Sequence, residues 1–159
     1  MKQMIWLLAG LAVMATASSA VAREPGQVVM PAAPANRALF EKWGFAEAVI
    51  DGDRIYLSGV VADLRGTETD PSAGFDRAFK TIAGILQRSG ATWDDVVDMT
   101  TYHTDLPSQL DAFVAVKRNY VREPFPAWTA IDIDRLVPDR GLVEIKVVAR
   151  RPPDATSPK

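Results

Sequence analysis

The chain has 159 residues and a formal net charge of −2, with 48% hydrophobic and 24% charged residues. That is the size and composition of one globular domain with a short appendage, which excludes wholesale disorder, collagen-like repeats and a multi-span membrane protein. It has no cysteine and one histidine, His103. Disulfide scaffolds, thiolate metal sites and cysteine nucleophiles are therefore excluded, a His-rich metal centre is disfavoured, and the charge balance offers no general attraction for nucleic acid.

Residues 1–22 have the three parts of a secretory leader. Lys2 is followed by the apolar run Met4–Ala15, and the small residues of Thr16–Ala22 place Ala20 and Ala22 at −3 and −1 of a cut before Arg23. The apolar run is shorter than the roughly 20 residues of a spanning helix. The expectation is cleavage after Ala22, a periplasmic or secreted protein, and no stable membrane insertion afterwards. Residues 23–42 include Pro25, Pro31 and Pro34 and read as an extended lead-in, residues 43–150 as the folded domain, and residues 151–159 as a disordered tail.

Within the domain, Glu47–Ile50 and Arg54–Val61 are β-leaning runs around Asp51-Gly52-Asp53, which predicts a hairpin. Phe75, Phe79, Ile82, Ile85 and Leu86 recur at helical spacing and predict a helix over Ser72–Ser89, ending at Gly90. Thr92 with Asp94-Asp95 reads as a capped turn, not an acidic metal pair. Val96–Thr104 is rich in β-branched residues and predicts a strand, while Ser108 caps a predicted helix over Gln109–Val121. Ala127–Asp134 and Leu142–Arg150 close the domain as two strands around a Pro138-Asp139 turn. The order β-β-α-β-α-β-β gives an α+β fold, with two helices packed on one face of a mixed sheet.

The other face has its own content. If the apolar sets Ile131/Ile133 and Val143/Ile145/Val147 meet the helices, Trp128 and Glu144 stand together on the non-helical face. A subunit covering that face and a solvated face with one chance tryptophan are both open on periodicity alone. His103, mid-strand and without ligand spacing, reads as a core or interface histidine. Asp132 and Asp134 could form a carboxylate pair, with no sugar cleft in view.

Five stretches, RIYLSGV (54–60), GATWDDVV (90–97), TYHTDL (101–106), FPA (125–127) with Leu136, and VEIKVVA (143–149), resemble in order and spacing the reactive intermediate deaminase (Rid, or YjgF-like) family. The resemblance implies a chorismate-mutase-like fold and a homotrimer with small-molecule clefts between subunits. It also implies hydrolysis of 2-imino acids to 2-oxo acids and ammonia. It implies no metal and no cofactor.

By that resemblance Glu144 is the residue that helps place the attacking water, and Ser58 ahead of Gly59 is retained. Phe45 stands for a pocket tyrosine and Lys117 for a pocket asparagine. The arginine that grips the substrate carboxylate in the deaminases is here Trp128, after Pro126-Ala127. An indole cannot form the bidentate fork. Losing such a contact costs about 2–5 kcal/mol where the partner ion is left buried.

Each of these residues keeps two readings. Trp128 either plugs the old pocket or stacks on a ligand, Lys117 either snorkels or enters the cleft as a point charge, and Glu144 either activates water or pairs with Lys146. The functional expectation is a divergent imine or enamine hydrolase with a non-standard substrate. The alternative is a non-catalytic, small-molecule-binding or chaperone-like trimer, and nucleic-acid cleavage is disfavoured.

Overall fold

The computed structural model describes residues 23–153; the expected leader, residues 1–22, and the end of the tail, residues 154–159, lie outside them. Its strands are β1 (Val28–Val29), β2 (Ala48–Asp51), β3 (Arg54–Leu57), β4 (Val60–Asp63), β5 (Val96–His103), β6 (Ala127–Asp132) and β7 (Gly141–Arg150). Its helices are α1 (Pro34–Trp43), α2 (Pro71–Arg88) and α3 (Leu106–Lys117). None of the helices is long and apolar enough to cross a membrane.

All strands join one mixed sheet in the order β1-β2-β3-β7-β5-β6, with β4 also paired to β7. The β2–β3 hairpin turns at Asp51-Gly52, where Gly52 has φ 59°. β7 alternates as its sequence dictates: Val143, Ile145, Val147 and Ala149 are buried under the helices. Opposite them, Phe75, Ala78, Phe79, Ile82, Ile85 and Leu86 of α2 and Phe113 of α3 complete the core. Two of the helices are capped by aspartates: Asp70 accepts from Ser72 N ahead of α2, and Asp105 accepts from Ser108 N ahead of α3. The third-helix boundary therefore starts at Leu106, ahead of the expected Ser108 cap.

Four expectations are corrected. The lead-in over residues 23–42 is not extended throughout, because Pro34 at the first turn and an Arg37–Glu41 ion pair support α1. Arg54–Val61 is not one strand. Tyr56 pairs with Val148 and Val60 with Ile145, so four steps on one side match three on the other, and the chain bulges at Ser58-Gly59. The two closing strands do not pair with each other: β6 runs parallel to β5 at the sheet edge.

The fourth correction concerns Trp128, which is on the helical face. The register sets it beside Met99, a fully buried residue, and its ring stacks on Phe113 at 5.9 Å. Ile131, expected inside, is 39% exposed. A strand's inner face is set by its neighbour's register, and at an edge the larger aromatic wins the covered side.

Candidate functional site

The bulge at Ser58-Gly59 builds the site. Ser58 N donates to Glu47 O and its hydroxyl donates to Ala46 O at 2.7 Å, fixing the kink between β3 and β4. Gly59 then faces Glu144, which reaches across from β7. A Cβ at Gly59 would lie 1.7 Å from Glu144 Oε1 and 2.5 Å from its carboxyl carbon. The absence of a side chain there lets the carboxylate lie flat on the backbone. Among the described residues the Glu144 side chain makes no ion pair, with Lys146 or any other cation, and accepts no hydrogen bond. Its carboxylate is uncommitted.

An open cavity of about 490 Å³ surrounds it. Ser58, Gly59 and Glu144 line one side, and Phe40, Trp43 and Phe45 the other. The Phe40 and Phe45 rings stack at 4.1 Å, and Trp43 lies 6.5 Å from Phe45. Arg135 and Val137 also line it. Of these, Phe40, Trp43, Arg135 and Val137 were not among the candidates the sequence offered. The aromatic triplet before the hairpin was a usable signal, whereas Arg135 lies in an irregular segment with no pattern of its own.

The structure brings Phe45, Ser58 and Glu144 together, and places Trp128 and Lys117 elsewhere. Trp128 Nε1 donates to Thr101 Oγ1 at 3.0 Å, and Lys117 Nζ lies 3.5 Å from the indole centroid. Behind them runs a buried polar chain. Gln109 Nε2 donates to Thr104 Oγ1, so its carbonyl oxygen faces His103 Nδ1 at 3.2 Å and takes that proton. His103 Nε2 then accepts from Thr101 Oγ1 at 3.0 Å, leaving that oxygen to receive the indole N–H. Burial pushes the His103 pKa down, against the smaller pull of Gln109 and Asp132, which matches the neutral tautomer this chain requires. Burial also lowers the Lys117 pKa, with Arg118 adding to it.

The remaining candidates are structural. Asp132 accepts from Leu106 N at the start of α3, and Asp95 closes a capping box with Thr92. Among the described residues no group of three or more His, Asp or Glu side chains is placed to hold a metal.

A family model described as Endoribonuclease L-PSP matches residues 36–151. The RutC family protein YjgH of Escherichia coli K12 is 35% identical over 124 residues, covering 75% of this chain and 92% of that protein. The chain belongs to the Rid (YjgF-like) family. A solved structure of protein YJGH matches with a TM-score of 0.69 at 31% identity, covering 80% of this chain and 97% of that one. A YjgF/YER057c/UK114 family member from Mycobacterium tuberculosis has a TM-score of 0.66 at 24% identity, covering 77% and 97%. The RidA structure from an Antarctic Psychrobacter gives 0.60 at 24%, covering 80% and 97%. The Rid-family fold is the chorismate-mutase-like α+β architecture, here with three helices instead of the two expected.

Proposed function

We propose that this Rid-family chain is a homotrimeric hydrolase of small imines or enamines, with Glu144 as the residue that handles water. Water adds to the imine carbon as Glu144 takes one of its protons and passes it to the nitrogen; Glu144 then relays the remaining hydroxyl proton to the nitrogen as the C–N bond breaks, giving a carbonyl compound and ammonia. An enamine enters the same route after a proton shift to its imine tautomer. The observation that supports this most is the uncommitted Glu144 carboxylate seated on Gly59 inside an aromatic-walled cavity.

The trimer forms through the sheet face opposite the helices, where Tyr56 is 45% exposed and Ile131 39% exposed in the single chain. Lys117 and Trp128 of one subunit then border the cavity of the next. No cofactor, metal or nucleic acid takes part, and residues 1–22 direct the protein to the periplasm or beyond and are removed.

A second reading is favoured by Trp128, which is held by Phe113, Thr101 and Lys117 as a packed side chain. On that reading the trimer binds a small molecule without turning it over. The deciding experiment uses residues 23–159 and imines generated in solution, with and without a carboxylate. Ammonia release faster than the spontaneous reaction, lowered about a hundredfold by Glu144→Gln, supports hydrolysis. Equal rates with and without protein refute the hydrolase and leave the binding reading standing.

A further inference from the structure

The cavity beside Glu144 has a charge pattern that identifies its occupant. Its walls are largely aromatic and aliphatic, with Ser58 polar and two residues charged: Glu144 on one side, and Arg135, the cation among its lining residues. Arg135 comes from the irregular segment between β6 and β7. The neighbouring Leu136 is buried and packs against Gly141, so the backbone under the guanidinium is anchored. The guanidinium itself is lightly held. Its partner is Asp139 at 3.4 Å, and the two side chains are 73% and 79% exposed. An exposed pair of this kind is worth little, so an incoming anion can displace Asp139 and gain the fork geometry.

Across the cavity, Trp43 is 61% exposed and Phe45 38% exposed, large apolar surface that the fold leaves uncovered. α1 buries no residue of its own in the core; its Phe40 and Trp43 serve the cavity wall instead.

We propose that this cavity binds small carboxylates carrying an aromatic or bulky apolar group, with Arg135 as the carboxylate anchor and Trp43 and Phe45 as the platform for that group. Arg135 thus supplies, from a different element, the cation that Trp128 cannot. The assignment rests on the cavity being the working site proposed above, and it narrows the substrate to those whose side chain fills an aromatic wall.

The test uses inert probes, so that it reads apart from turnover: 3-phenylpropanoate, propanoate and 3-phenylpropanamide, titrated calorimetrically into residues 23–159. The expected order is 3-phenylpropanoate tightest, with the other two about tenfold or more weaker. Arg135→Leu is expected to weaken 3-phenylpropanoate about ten- to a hundredfold while leaving the amide unchanged. Asp139→Asn, which removes the competing carboxylate, is expected to tighten it a few-fold. Trp43→Ala should weaken both phenyl probes equally.

Absent binding of 3-phenylpropanoate, or Lys117→Met producing the loss that Arg135→Leu does not, overturns the anchor. A Trp43→Ala protein that loses its oligomeric state while its Kd is unchanged assigns the aromatic wall to subunit packing and overturns the platform. Arg135-dependent binding together with no imine turnover refutes the hydrolase and leaves the anchor standing.

Discussion

Replacing Trp128 by arginine, the residue that the resemblance implies at this position, tests how the indole is held. The ring makes three contacts: the Phe113 stack at 5.9 Å, the hydrogen bond to Thr101 at 3.0 Å, and the Lys117 ammonium at 3.5 Å from its centroid. An aromatic pair is worth about 0.5–1.5 kcal/mol beyond its burial, a hydrogen bond about 1, and a half-covered cation–π contact about 1. An arginine stem keeps some packing and can still donate to Thr101, but it sets a second cation against Lys117 where an attraction stood. The net expectation is a loss of about 2–4 kcal/mol, or a fall in Tm of roughly 10 °C in a domain of this size. The assay is thermal and urea unfolding at one protein concentration, since assembly shifts apparent stability. Lys117→Met in the same background should return about 1 kcal/mol by removing the repulsion. An unchanged Tm in Trp128→Arg, or no relief from Lys117→Met, would refute the account of Trp128 as a packed, cation-capped ring.

Further outcomes follow from other contacts. Gly59→Ala forces the Glu144 carboxylate off the backbone, because its Oε1 lies 1.7 Å from the new Cβ. A flexible side chain can yield, so stability should change by about 1 kcal/mol or less while any Glu144-dependent turnover falls at least tenfold. Gly74→Ala meets a backbone atom instead, Asp63 O at 2.6 Å, and should cost about 1–3 kcal/mol in unfolding experiments. His103 has a folded pKa below its ordinary value, so the unfolded chain takes up its proton first. Stability should be level above about pH 6.5 and fall as the pH drops below it, until the folded pKa is passed. Since the chain has one histidine, His103→Val should abolish that slope between pH 6.5 and 5, though not the steeper loss at lower pH as Glu68, Asp70 and Asp76 protonate.

What the sequence displayed was the part of the fold governed by local pattern. The Asp51-Gly52 turn, the apolar stripe of α2 and the alternation of β7 each depend on residues within a few positions of one another, and all three are found. α1 escaped because it has no apolar stripe: it stands on its proline start, an ion pair and ring contacts made after the chain has folded back. The facing of Trp128 escaped because alternation gives two sides without saying which is inner, and the register against Met99 decides it. In the site, Glu144 could be put on its face by the alternation of its strand, whereas Ser58 and Phe45 came from the family resemblance alone. The bulge that brings Glu144 onto Gly59 is one residue of slippage between strands far apart in the chain, Tyr56–Val148 and Val60–Ile145 framing it, and no local signal records it.

The last strand among the described residues is the one that holds the sheet together. β7 bonds to β3 and β4 on one side and to β5 on the other, so within the sheet the early hairpin and the later β-α-β unit are joined through it. During synthesis, each of those pieces must wait with an unpaired edge until residues 141–150 have left the ribosome. A nascent chain stalled before Gly141 would therefore hold two half-sheets without the strand that zips them, and would remain a client for holding chaperones and proteases until its final segment arrived.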